Sequence, residues 1–194
     1  MTKRLVSAAA SVAVIGAAAL AAAPAAMATA NGGGCVLQGT AKFSPNITGT
    51  TSNITYTFSG TLSNCHSGST SGLNSGPSGG AISTPEPVAL NGSCTSSTSS
   101  GIAIVNWNDN DTTVVQYSTT GYAAAVDQTG TVLPSWKDPA TGTTYTTNEP
   151  ATPANDSAQG LLTFGTTTPQ NCAPGGSGLS SASINGLEFT GASS

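Results

Sequence analysis

Between residues 53 and 62 the chain alternates strictly. Ile54, Tyr56, Phe58 and Leu62 hold one parity, and Thr55, Thr57, Ser59 and Thr61 hold the other. This period of two is the signature of a half-buried strand. Leu37, Ala41 and Phe43 repeat the rule across 35–43, and Ser44-Pro45-Asn46 is expected to stop the ladder, because proline has no N–H to donate. The two runs predict a first hairpin with a long loop. Further strands are predicted at 87–94, 101–107, 112–119, 122–132, 143–147, 159–166 and 179–189. Short runs separated by turn residues point to a β-sandwich rather than to strands alternating with helices. No stretch after residue 30 carries a 3.6-residue apolar stripe. The nearest is Tyr122-Ala123-Ala124-Ala125-Val126-Asp127, whose alanines permit a helical turn but whose span between Gly121 and Gly130 favours strand.

A second hairpin is predicted around Asn108. Ile102, Ile104, Val105 and Trp107 run into Asn108-Asp109-Asn110-Asp111, and Val114, Val115 and Tyr117 run out. Asn and Asp suit such a bend because they tolerate positive φ and bond their own backbone. Near the end, the apolar parity slips from Ala182 and Ile184 to Leu187 and Phe189 across Asn185-Gly186, which predicts a tight hairpin or a bulge. Residues 67–80, mostly Ser and Gly, hold too little apolar area to offset their ordering entropy and are expected to form a mobile loop.

Residues 1–30 read as an export signal: Lys3 and Arg4, an apolar run from Leu5 to Ala23, the breaker Pro24, then Ala28-Thr29-Ala30 as an A-x-A cleavage pattern. The mature chain is expected to begin at Asn31, with no membrane span after cleavage. It then keeps Lys42 and Lys137 against eight carboxylates and has no arginine. Nucleic acids and anionic lipid surfaces are recognised by clusters of Lys and Arg, so both are excluded as partners. The remaining 164 residues suit one domain with one core.

All four cysteines, Cys35, Cys65, Cys94 and Cys172, fall in the mature part. An even count in an exported chain predicts two disulfides, and a zinc site lacks both a C-x-x-C pair and a second histidine beside His66. Four cysteines allow three pairings. If the first two strands form an antiparallel pair, Cys35 at the start of one and Cys65 at the end of the other come close, which leaves Cys94 for Cys172. Cys35 also raises a lipoprotein reading, but Gly32-Gly33-Gly34 lacks the apolar residue of a lipidation box.

Catalytic chemistry finds little to work with. Glycoside hydrolysis needs two carboxyl groups facing a cleft, and Glu86, Asp109, Asp111, Asp127, Asp138, Glu149, Asp156 and Glu188 form no recognisable pair. A nucleophilic triad leans on histidine, and His66 stands beside Cys65 at the entrance to the Ser/Gly loop. No glycine-rich phosphate cradle is present. The run Asn106-Trp107-Asn108-Asp109-Asn110-Asp111 places oxygen ligands at alternate positions, as short calcium loops do. It lacks the glycine and terminal glutamate of a full loop, so a plain turn is the expectation. No cofactor or metal is assigned. Trp136, in a segment of turn residues, and Tyr145 shortly after it are the candidates for sugar contact, while Trp107 at the end of an apolar strand is expected in the core. Asn-x-Ser/Thr triplets begin at Asn46, Asn53, Asn91, Asn110 and Asn155, as chance predicts in so Asn- and Thr-rich a chain.

The alanine-rich signal, Gly39-Thr40-Ala41-Lys42-Phe43-Ser44-Pro45, Tyr56-Thr57-Phe58-Ser59-Gly60-Thr61-Leu62-Ser63-Asn64-Cys65 and Ile104-Val105-Asn106-Trp107-Asn108-Asp109 together resemble a set of secreted actinobacterial β-proteins of unknown function. The resemblance carries structural motifs and no catalytic residues. The chain departs from it between Leu133 and Pro153, where those proteins have a shorter hairpin, so a function of its own is expected in that insertion. The sequence therefore predicts an all-β protein: a single antiparallel β-sandwich of seven to nine strands, Ig-like and disulfide-stabilised. Its expected role is non-enzymatic, structural or adhesive, secreted or held at the cell envelope. The alternatives are a carbohydrate- or cell-wall-binding module using Trp136 and, further off, a glycoside hydrolase. Expected partners are an envelope polysaccharide or another surface protein.

Overall fold

The computed structural model describes residues 33–50, 52–66, 76–122, 125–165, 172 and 175–191. The expected signal in residues 1–30 and the expected Ser/Gly loop as far as residue 75 lie outside the described residues. The strands are β1 (Gly33–Ile47), β2 (Ser52–His66), β3 (Gly80–Ser83), β4 (Val88–Gly92), β5 (Ser96–Trp107), β6 (Thr112–Tyr122), β7 (Ala125–Leu133), β8 (Ser135–Lys137), β9 (Thr144–Thr146), β10 (Ser157–Gly165) and β11 (Leu179–Gly191). All pairings among them are antiparallel. No helix among the described residues is long and apolar enough to cross a membrane.

The expected all-β chain is present, but the Ig-like sandwich is corrected to a closed barrel. β1 bonds β2 along one edge and β11 along the other, so the sheet order runs round from β2 through β3/β4, β5, β6, β7, β10 and β11 back to β1. A sandwich keeps two sheets with Greek-key crossings; here each stave pairs with the next one along the chain, an up-and-down barrel with no free edge. β3 and β4 both pair with β2 and with β5, so they are two halves of one stave among eight. They are separated by Thr84-Pro85-Glu86-Pro87, whose two prolines cannot donate to a ladder.

Inward positions supply the core: Leu37 and Ala41, Ile54 and Leu62, Ala103 and Val105, Val115 and Tyr117, Leu162, Ala182 and Ile184 are all buried. The outward positions Thr55, Thr57, Ser59, Thr61, Gln116 and Ser118 are exposed. This is the reverse of the apolar-out pattern that a lipid-embedded barrel shows. Gly39 and Gly60 face each other across β1 and β2, and the Phe58 ring lies over both. A Cβ on Gly39 would stand 2.4 Å from that ring, so the two glycines create the seat in which Phe58 meets the barrel interior.

Three local expectations are corrected. Pro45 does not end β1, which continues to Ile47; it sits where the register against β11 shifts between Lys42 and Ile47. Asn185-Gly186 is neither hairpin nor bulge, since β11 pairs through it without a break, and Leu187 simply faces outward, 49% exposed. β3 begins at Gly80, where a loop was expected, because Ile82 gains a buried inward site between β2 and β5.

Both disulfides form with the pairing that the first hairpin suggests, Cys35–Cys65 and Cys94–Cys172. The first ties the open ends of β1 and β2. The second ties the β4–β5 turn to the connection between β10 and β11.

Candidate functional site

The upper half of the barrel holds a partly open cavity of about 60 Å³. Leu37, Ala103, Val126, Leu162 and Ile184 give it apolar walls from five different staves, and the half-buried Phe58 and Phe164 also line it. Along one side runs a chain of hydroxyls. Tyr56 and Tyr117 meet at 2.7 Å, Tyr56 and Ser99 at 3.0 Å, and Ser99 and Thr119 at 2.6 Å. Inward parity on β2, β5 and β6 places these four groups together, although 61 residues separate the two tyrosines. The sequence put Tyr56 on the inward parity and left the facing of Tyr117 open. It did not show that their staves would bring the two hydroxyls into contact, because that depends on barrel closure and tilt.

Burial pushes both phenols above the ordinary tyrosine range, and for Tyr117 the neighbouring Tyr56 adds to the shift. A raised folded pKa means the neutral phenols contribute stability that is complete below the unfolded value, about 10, and is lost as pH climbs beyond it. We therefore expect a steep fall in Tm above about pH 10. It should be shallower in Tyr117→Phe, whose remaining phenol has less to lose. An identical pH slope in the two proteins would refute the assignment.

At the opposite end, a second cavity of about 50 Å³ is lined by the Cys35–Cys65 bridge, His66, Pro77, Trp107 and Thr113 among others. Trp107 is buried, as expected of a core residue, and its indole N–H donates to Thr113 Oγ1 at 2.8 Å.

The 133–153 segment, expected to be an insertion, contains the short hairpin of β8 and β9, and it is bound to the barrel. Thr147 Oγ1 donates to the Leu133 carbonyl at 2.6 Å and accepts from the Val114 amide at 3.0 Å, bridging β7 and β6 where they part. Asp138, near the hairpin turn, accepts from the Ala140 amide at 2.8 Å and from Thr141 Oγ1 at 2.6 Å. Those hydrogen bonds, Thr141's first, hold its carboxyl below the usual range. Burial and the contact with Asp138 push Glu86 up. Ile104 and Val114 face outward on adjacent staves yet are 2% and 0% exposed, so the wall is covered at this point.

Trp136 and Tyr145 are cross-strand partners within that hairpin, their rings 6.1 Å apart and 23° from parallel, and both are half-buried. The structure brings these two candidate residues together, and each spends part of its surface on the other.

Of the acids, Asp127 is exposed on the outer wall, and Asp156 has its carboxyl pushed up by burial. The side chain of Glu188 lies outside the described residues. Asp109, Asp111 and Glu149 do converge, each with a carboxylate oxygen within 4.8 Å of the others. Burial pushes the Glu149 carboxyl up, the Ala151 amide opposes this, and the charges of Asp109 and Asp111 add to the rise.

No family model, curated protein or solved structure matches this chain.

Proposed function

We propose that the chain works outside the cytoplasm as a non-enzymatic binding barrel that takes the slim apolar end of a small molecule into its lumen beside Tyr56 and Tyr117. The observation that carries this reading is the apolar cavity with a line of hydroxyls along one wall. Eight staves leave an interior just wide enough to be filled by side chains or to hold one small ligand. At about 10–15 Å³ per water-sized site, 60 Å³ is room for a slender alkyl or aryl group rather than a drug-sized molecule. The hydroxyl chain sets oxygens that can donate or accept along one wall, where a polar atom on the guest could be met. Two disulfides suit an oxidising compartment.

Ala103 faces this cavity and is buried, so Ala103→Leu places a branched side chain in the space a guest would use. The oxidised protein should bind medium-chain alcohols and simple phenols saturably, measured by displacement of an environment-sensitive dye. Ala103→Leu, once its circular dichroism is checked, should weaken that binding at least tenfold and Trp136→Ala should not. No binding by the parent protein, or equal binding by parent and Ala103→Leu, would sink the lumen reading. Binding of oligosaccharides or envelope polymers that only Trp136→Ala loses would move the site to the hairpin rings.

A further inference from the structure

The turn between β5 and β6 is held by its own backbone. The Trp107 amide donates to the Asp111 carbonyl at 2.9 Å, the Asn110 amide to the Trp107 carbonyl at 3.2 Å, and the Asp111 amide to Asp109 Oδ1 at 3.2 Å. Asn110 adopts φ 75°, which asparagine tolerates. Read alone, this is a plain turn with one exposed acid, Asp109, and one half-buried acid, Asp111. The end of the insertion changes that.

Residues 147–152 form a strap across the start of β6. Asn148 fastens it three times: its amide donates to the Thr112 carbonyl at 3.0 Å, its Oδ1 accepts from the Thr112 amide at 2.6 Å, and its Nδ2 donates to Asp111 Oδ1 at 2.8 Å. Thr152 Oγ1 joins Thr113 Oγ1 beyond it. The residue these fastenings carry over the turn is Glu149, which is only 3% exposed. Its Oε1 accepts from the Ala151 amide at 2.8 Å, whereas Oε2 is buried with no hydrogen-bond partner. A carboxylate buried beside two others, with one oxygen unpartnered, is an unfavourable arrangement unless a proton or a cation joins it.

We propose that Asp109, Asp111 and Glu149 hold a calcium ion that clamps the insertion to the β5–β6 turn. Calcium takes oxygen ligands at about 2.3–2.6 Å, so oxygens around one ion stand at most about 4.6–5.2 Å apart. The three carboxylate oxygens, all within 4.8 Å of one another, meet that condition. Magnesium, at about 2.0–2.1 Å and with strict octahedral geometry, asks for a tighter set. Asp109 is exposed, which leaves the outer side open to ion and water. The site involves neither the lumen nor its tyrosines, so it stands or falls independently of the lumen ligand.

The test uses the full oxidised chain stripped with chelator. Calcium at 10 mM should raise Tm by about 5 °C or more, the rise expected if the affinity lies near the tight end of the range for extracellular calcium modules. Terbium, offered in calcium's place, should luminesce on excitation of Trp107, one residue from the turn, and calcium should quench that signal. Glu149→Gln keeps the side-chain shape while removing the charge. Without calcium it should match or exceed the parent Tm, and it should lose both responses. Asp109→Asn serves as the second variant should Glu149→Gln fail to fold. A parent protein with no calcium-dependent Tm shift and no terbium signal, or a shift of equal size in parent and folded variant, overturns the proposal.

Discussion

Replacing Cys94 and Cys172 together with serine is expected to destabilise the barrel by about 4.5 kcal/mol. The bridge closes a loop of 78 residues, against 30 for Cys35–Cys65. Because the stabilisation comes mainly from restricting the unfolded chain, it grows with the logarithm of loop length, and the shorter bridge is expected to contribute about 3.6 kcal/mol. The folded contexts widen the gap. Cys35 and Cys65 lie on staves that already pair along their length, whereas Cys94 lies in the β4–β5 turn and Cys172 between β10 and β11, both outside the strands. Domains of this size are stable by about 5–15 kcal/mol, so losing the longer bridge removes a large share. Urea unfolding of the two double-serine variants checks this. The Cys94/Cys172 variant should show the lower midpoint, and a slope at least as steep as the parent's because its unfolded state is freer to expand. Equal midpoints, or the reverse order, would show that the entropic account does not govern this barrel.

The unequal legibility of this fold has physical causes. Strand after strand is readable because period-two alternation follows from one buried face, and Ile54, Tyr56, Phe58 and Leu62 turn inward as that alternation requires. Whether those faces line a sandwich or a barrel is not written in the alternation, since both put every second residue inside. Closure is decided by which strand the first one meets, here β11 along Gly33–Lys42, about 140 residues away in the chain. The disulfides were legible for the opposite reason: Cys35 and Cys65 terminate strands that are neighbours in sequence. Trp136 was legible as unusual, and Tyr145 as its neighbour, but their mutual stacking rests on hairpin register. Asp109 and Asp111 were visible as a local pattern of oxygens. Glu149 was not, because it stands 38 positions beyond Asp111 and hydrogen bonds such as that of Asn148 to Asp111 bring them together in space. In each case the local period was readable and the long-range partner was not.

Trp107→Ala is expected to cost about 4 kcal/mol, within the usual range for emptying a large aromatic site. The ring ends β5 on the inward parity and is 8% exposed. It packs so closely against β3 that a Cβ on Gly80 would stand 3.1 Å from the indole. It borders a cavity of about 50 Å³, so removing it enlarges an existing void instead of leaving one that neighbours can fill by a small shift. Residual cavity volume is what separates costly truncations from mild ones, at about 24 cal/mol per Å³. The indole N–H also matters, because it donates to Thr113 Oγ1, and that hydroxyl meets Thr152 in the strap that carries Glu149. Trp107→Phe should keep most of the packing and lose that bond, for about 1 kcal/mol beyond the smaller ring's own cost. If the bond reaches the strap, Thr152→Ala should cost less in the Trp107→Phe background than in the parent, a coupling of about 0.5 kcal/mol or more in a double-mutant cycle. Urea unfolding followed by circular dichroism gives all four values. Strict additivity would mean that Trp107 acts through packing alone. A loss below about 1 kcal/mol for Trp107→Ala would mean that the lower end of the barrel collapses onto the void, and that its cavity is not a fixed feature of the fold.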